Sequence, residues 1–327
     1  MASVIILLSF LCGFSVVLNA TVVLAIFLKR KSKGMRDIIL MSLAICDGVQ
    51  CTLGFPVELY GFSNLNSPLQ NEYLCKANGF IVMYLALTAI SHLVCLCVYR
   101  FLSIVYPLKI QKFFLDSRRE ALLFILFCWI YGFFWSVTPL LGWNEIIREK
   151  EDTHRCSINL NPEDNNKRSY LYSLMVFCYF IPLVIIIFCS LRVHFELSKM
   201  LKLCKHISGR EASITKETYK LERQDFISIS LIVSSFFIVW TPYTICVIFS
   251  SLRSSLPTGL LTYSALFAKS STILNPVIYC LMYKEYRETL QSEYRKIFKS
   301  SVVAPFTERS QTAALSTLSS HGDASFT

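Results

Sequence analysis

Leu266-Phe267-Ala268-Lys269-Ser270-Ser271-Thr272-Ile273-Leu274-Asn275-Pro276-Val277-Ile278-Tyr279 sets one lysine in a stretch that is otherwise apolar or small and uncharged. In a helix that begins near Gly259 and rises about 1.5 Å per residue, Lys269 lies roughly 15 Å along, about half the thickness of a hydrocarbon core. An ammonium at that depth costs about 3 kcal/mol on insertion scales, so a lysine inside a membrane span marks a functional site by default. The rest of the chain has to supply what makes it tolerable.

Of the 327 residues, 54% are hydrophobic and only 17% charged, which excludes an ordinary soluble domain and describes a polytopic membrane protein. The net charge of +10 does not point to nucleic acid, because the basic residues cluster at the ends of apolar runs. Membrane orientation explains them, and no nucleic-acid partner is expected. The 13 cysteines are spread through apolar segments without metal-ligand spacing, and most read as small buried hydrophobes.

Apolar stretches of spanning length occur at 3–28, 38–61, 76–105, 121–142, 169–194, 225–251 and 258–282, each measured against the roughly 20 residues a helix needs to cross. They predict an all-α membrane protein, a seven-transmembrane helix bundle. The first run continues through Ala25 without a cleavage site and reads as the first span rather than a signal peptide. Lys29, Arg30, Lys31, Lys33 and Arg36 follow the first span, and Lys109, Lys112, Arg118 and Arg119 the third. More basic residues fill 195–224, and Lys284, Arg287, Arg295 and Lys296 follow the last span. The positive-inside rule makes these segments cytoplasmic, with the N-terminus extracellular and the C-terminus cytoplasmic in a multi-pass cell-membrane protein.

The longest outer connection, 143–168, mixes Glu145, Glu149, Glu151 and Asp152 with Arg148, Lys150 and Arg155. It holds Cys156, while Cys75 opens the third span; a disulfide between them on the oxidising side would strap the loop over the bundle, with two free thiols as the plainer alternative. After the last span, Tyr286, Leu290, Tyr294 and Ile297 fall at the spacing of an amphipathic membrane-surface helix over 284–298. Residues 299–327 are rich in Ser and Thr and read as a disordered cytoplasmic tail open to phosphorylation. The predicted domains are therefore 1–283, the bundle; 284–298, the surface helix; and 299–327, the tail.

Further residues repeat a pattern span by span. Asn19 stands in the first span and Leu43-Ala44-Ile45-Cys46-Asp47 in the second. Arg100 ends the third, followed by Ile104-Val105-Tyr106-Pro107-Leu108; Trp129 centres the fourth and Pro182 breaks the fifth. Trp240-Thr241-Pro242-Tyr243 marks the sixth and Asn275-Pro276-Val277-Ile278-Tyr279 the seventh. In this order they resemble the class A G protein-coupled receptors over almost the whole chain. Ala268-Lys269-Ser270, just before Asn275, and Thr138-Pro139-Leu140-Leu141-Gly142-Trp143 narrow the resemblance to the opsins.

That resemblance implies 11-cis-retinal held covalently on Lys269 as a protonated Schiff base, with Trp240 and Tyr243 along the polyene. Aromatic residues in a helix are more often simple packing. A lysine amine attacks an aldehyde only when neutral, which an apolar pocket favours, and the protonated product needs a buried carboxylate. Vertebrate visual opsins place a Glu three residues after the first cysteine of the third span, but Asn78 stands there in this chain. Glu58, eleven residues beyond Asp47 and about three turns further out, is one candidate counterion. Glu149 is the other, because opsins often carry a loop Glu ahead of the second cysteine; counting from Trp143 gives Glu149, while counting back from Cys156 gives Lys150. The loop therefore contains an insertion and both candidates stay open. If Glu58 is the counterion, Glu149→Gln should do little.

On the signalling side the resemblance implies that Arg100 pairs with Glu222 in an inactive latch, and that Asp47, Asn275, Pro276 and Tyr279 couple the pigment to it. Tyr99 replaces the usual acidic neighbour of Arg100, and Ser190 a common Tyr. With the missing third-span Glu, these departures look most similar to cnidarian opsins that raise cyclic AMP through a stimulatory G protein. The implied partners are a heterotrimeric G protein, a receptor kinase, arrestin and membrane lipid. The chain is then not an enzyme; a retinal photoisomerase without signalling and a ligand receptor with a coincidental lysine are the alternatives.

Overall fold

The computed structural model describes residues 2–28, 34–63, 68–108, 117–149, 155–206, 210–252, 257, 259–283, 286–292 and 295. Lys29 to Lys33, Lys109, Lys112, Lys150 to Asp152 and the tail from 296 lie outside them. Among the described residues, seven helices are long and apolar enough to cross a membrane. The chain is a multi-pass membrane protein.

The spans in chain order are α1 (Ala2–Leu28); α2 (Met35–Val49) with α3 (Phe55–Ser63); α4 (Glu72–Val105); α5 (Ser117–Val137); α6 (Asn165–Met175) with α7 (Ile181–His206); α8 (Arg210–Ser251); and α9 (Leu260–Lys269) with α10 (Ser271–Met282). The third span is central, packing against the second, fourth and fifth, while the sixth packs on the seventh and the first on the second. Residues 286–292 are helical and belong to a separate compact unit beginning at Tyr283. The rest of the predicted 284–298 surface helix falls largely outside the described residues.

Prolines shape three of the spans. Pro276 has no N–H for the carbonyl of Thr272, which instead accepts hydrogen bonds from Asn19 Nδ2 at 2.9 Å and Ser15 Oγ at 3.1 Å. The fifth span carries a π-turn at Val176–Phe180 just before Pro182, and there the Tyr131 hydroxyl donates to the carbonyl of Phe177 at 2.8 Å. A second π-turn, Gln50–Gly54, precedes Pro56 in the second span. In each case a neighbouring span or a wider turn offsets the lost backbone donor.

Several predicted boundaries need correction. The fourth span stops at Val137 rather than 142, because Pro139 disfavours helix in the residue before it and Gly142, at φ 100°, turns the chain. The fifth starts at Asn165, capped by Asp164 accepting from the Asn166 N–H at 2.8 Å, and runs to His206 rather than 194. The sixth starts at Arg210 rather than 225. The stretch 195–224 is rich in Lys, Glu and Leu and lacks proline, so the expected connection is mostly helix.

Over one end of the bundle, β1 (Ile146–Arg148) and β2 (Cys156–Ile158) form an antiparallel hairpin in which Arg148 faces Cys156. The disulfide Cys75–Cys156 fastens it to α4, with Cα atoms 5.4 Å apart. A Cβ at Gly79 would sit 2.6 Å from Ile146 Cγ2 and 3.1 Å from the Cys156 carbonyl, so only glycine lets the hairpin lie this close. The loop's Asn144 accepts from the N–H groups of Glu145 and Asn159 and donates to the carbonyls of Asn159 and Lys167. Lys167 and then Asn159 hydrogen-bond Glu145 and hold its carboxyl below the usual carboxylate range.

Candidate functional site

The seventh span breaks between Lys269, the last residue of α9, and Ser271, the first of α10. Ser270 N–H reaches back three residues to Phe267, and the Thr272 hydroxyl caps the Lys269 carbonyl at 3.0 Å. Lys269 points into the bundle and is 8% exposed. Its Nζ donates to Glu58 Oε2 at 2.7 Å and lies 4.2 Å from the centre of the Phe55 ring. Glu58 is 2% exposed. A charge pair this deep, closed by a hydrogen bond and an aromatic face, meets the condition under which a buried cation is tolerated.

From this pair a cavity of about 150 Å³ runs past Met83, Ala86, Leu87, Trp240 and Tyr243. A neighbouring cavity of about 100 Å³ shares Ala86, Leu87, Trp240 and Tyr243 and ends among Cys178, Tyr179, Phe236 and Val247. Together they make a long apolar chamber with its ionic group at one end. Trp240 stacks on Phe236 with ring centres 5.4 Å apart and donates to Ser271 Oγ at 3.3 Å, so its indole joins the sixth span to the break. Tyr179 and Thr241 hydroxyls hydrogen-bond at 2.7 Å at the far end.

Glu149 occupies a different place. Its Oε1 accepts from Arg155 Nη2 at 2.6 Å, a pair whose side chains are 7% and 5% exposed, at the end of the hairpin where the two strands connect. Arg155 also lines the chamber that holds Lys269 and Glu58. Burial works against the Arg155 charge, but Glu149 and then Glu58 outweigh it and raise its basicity. Asn78 is turned to α4's neighbour, donating to the Gly54 carbonyl at 3.1 Å in the π-turn.

Midway along the bundle, Asn275 Nδ2 donates to Asp47 Oδ2 at 2.9 Å, joining α10 to α2. At the end away from the hairpin, Arg100 Nη2 donates to Glu222 Oε2 at 2.6 Å and to the Glu222 carbonyl at 3.2 Å. Arg100 Nη1 also lies 3.4 Å from Asp225 Oδ2, and Arg36 Nη1 contacts both Asp225 oxygens at 2.6 Å. Asp225 thus stands on the sixth span beside the arginine whose own neighbour is Tyr99. Tyr279 is fully buried in the same span as Asn275 and Pro276.

Sequence reasoning did not single out Arg155, Asp225 or Arg36. Asp225 had a signal, lying three residues after Glu222 on one helical face. Arg155 had only its place before Cys156.

The family model described as "7 transmembrane receptor (rhodopsin family)" matches residues 18–279. Over 285 residues the chain is 30% identical to Melanopsin-A of Gadus morhua, covering 83% of this chain and 49% of that protein, so it spans about half that relative's length. It is 30% identical over 287 residues to the blue-sensitive opsin of Anolis carolinensis, covering 84% of this chain and 74% of the relative. With the rhodopsin of Lethenteron camtschaticum it shares 30% identity over 281 residues, 82% of this chain and 74% of the relative. The crystal structure of squid rhodopsin matches with a TM-score of 0.81 at 21% identity, over 90% of this chain and 85% of that one, a likeness of fold alone.

Proposed function

The chain belongs to the opsins within the rhodopsin family of seven-transmembrane receptors, and from that premise we propose that it is a light-activated G protein-coupled receptor carrying 11-cis-retinal on Lys269. The observation that carries this reading is the buried Lys269–Glu58 pair at the ionic end of an otherwise apolar chamber. Such a chamber fits a long conjugated aldehyde: an amine at one end, apolar walls along its length, and Trp240 and Tyr243 across its middle. Retinal, when bound, supplies the absorbing polyene whose change of shape under light drives the switch.

The chain's own residues do the rest. Lys269 provides the attachment nitrogen, and Glu58 balances the positive charge there in a site that the hairpin keeps from water. Trp240, tied to Ser271, transmits a displacement in the chamber to the sixth and seventh spans. At the other end Arg100, Glu222, Asp225 and Arg36 form the closed latch, and outward movement of the sixth span would part them and open a cleft for a heterotrimeric G protein. That end is taken as cytoplasmic, where a receptor kinase and arrestin would also act on the tail. The carboxylate on the second span, with Asn78 in place of a third-span Glu, favours a cnidarian-type opsin coupled to a stimulatory G protein.

The test is nucleotide exchange on a purified G protein by the chain reconstituted with 11-cis-retinal, in darkness and in light. Light-dependent exchange that is lost in Lys269→Ala supports the proposal. Photoisomerisation of retinal without nucleotide exchange would assign the chain to an isomerase instead.

A further inference from the structure

Two buried ion pairs stand at the ionic end of the chamber: Lys269 with Glu58, which line it, and Arg155, which also lines it, with Glu149 behind. Among the described residues, each cation has one carboxylate within 2.7 Å. The two pairs are not independent, since Arg155 lines the same cavity as Lys269 and Glu58. Among the described residues the guanidinium is also only half engaged: Nη2 is held by Glu149, whereas Nη1 reaches the Thr262 carbonyl at a long 3.5 Å. Among the described residues, Glu149 Oε2 has no hydrogen-bond partner.

We infer that Glu149 is a positioning residue that acts on the Lys269–Glu58 pair through Arg155, holding the guanidinium away from Glu58. A buried arginine does not shed its proton, so on losing Glu149 it must find another anion. Glu58 is the carboxylate already felt by Arg155 after Glu149. Drawn onto Glu58, Arg155 would compete with the charge on the Lys269 nitrogen. This deepens the reading of Lys269 as attachment site and Glu58 as counterion. It also reverses the expectation that Glu149→Gln is silent. Among the described residues, the other titratable groups facing the pair are Cys12 on α1, Cys51 in the π-turn of the second span and Tyr243 on α8. Thiols and a phenol are protonated at neutral pH, so the redistribution runs through the carboxylates.

The test is a cycle of Glu149→Gln, Arg155→Gln and the double variant, read in two ways. In the retinal-free protein, the rate of reductive methylation of Lys269 at fixed pH, followed by peptide mass spectrometry, should rise about threefold or more in Glu149→Gln, fall in Arg155→Gln, and return near wild type in the double. In the retinal-loaded protein, the pH midpoint of the visible band should fall by about one unit or more in Glu149→Gln, rise in Arg155→Gln, and be restored in the double. A merely structural ion pair would change thermal stability in both single variants without moving the midpoint in opposite directions. If Glu149→Gln does not fold, Arg155→Gln alone still decides: an unmoved midpoint and an unmoved methylation rate overturn the inference. A wild-type chain that forms no visible band, yet whose Lys269 methylation follows the cycle, would defeat the retinal reading and leave this inference standing.

Discussion

Lys269 Nζ lies 2.7 Å from Glu58 Oε2, so a residue at the break of the seventh span and one beyond the π-turn of the second close a buried ion pair across the bundle. Both side chains are below one-tenth exposed, and the ring of Phe55 covers the ammonium. Removing one partner from such a pair costs more than removing both, because the charge left behind has lost its water and its partner.

Glu58→Gln is therefore expected to lower the stability of the retinal-free protein by about 3–5 kcal/mol. Adding Lys269→Met to it should recover most of that loss. Thermal unfolding of the three variants in one detergent checks this. With retinal added, Glu58→Gln should absorb in the ultraviolet at neutral pH, and an unchanged visible spectrum would remove Glu58 as sole counterion.

The latch makes a second prediction. Asp225 accepts from Arg36 and lies beside Arg100, so Asp225→Asn weakens two contacts of the sixth span at once. G protein activation in darkness should rise about fivefold or more, corresponding to a loss of ~1 kcal/mol from the closed state. Arg36→Ala should act in the same direction, and a variant carrying both changes should add little beyond Asp225→Asn alone.

A third concerns packing between the third and fourth spans. A Cβ at Gly132 would run into the Thr88 hydroxyl and sit 3.0 Å from the Thr88 nitrogen and 3.1 Å from the Tyr84 carbonyl. Gly132→Ala should cost about 1–3 kcal/mol. Thr88→Ala should relieve only part of it, since the backbone atoms remain. Comparing the melting temperatures of the single and double variants tests this.

The hairpin gives a fourth. Cys75 and Cys156 enclose a long loop, and replacing both by serine should cost about 2–5 kcal/mol and loosen the cover over Glu149 and Arg155. Faster access of hydroxylamine to the loaded pigment, compared with wild type, would report that loosening.

Much of this was legible in the chain because apolar run length sets helix number, and because motifs such as Asn275-Pro276 fall at fixed depths. Counting eleven residues from Asp47 brought Glu58 to the outer half of the second span, but counting could not supply a bond. The Glu149–Arg155 pair escaped because the loop insertion blurred its register; the pairing of Arg148 with Cys156 resolves it. Asp225 escaped because the missing acid beside Arg100 was sought next door in sequence, at Tyr99, and the sixth span offers one in space. The long fifth and sixth helices were missed for another reason: charged helix formers carry a helix past the apolar stretch that crosses the membrane.

The most direct measurement is to incubate the dark protein with 11-cis-retinal, reduce it with borohydride, and map the added mass by peptide sequencing. One retinyl group on Lys269, together with a visible band before reduction that is absent in Lys269→Ala, is the predicted result. An adduct at another residue, or a visible band that survives Lys269→Ala, would contradict the assignment of Lys269 as the attachment site.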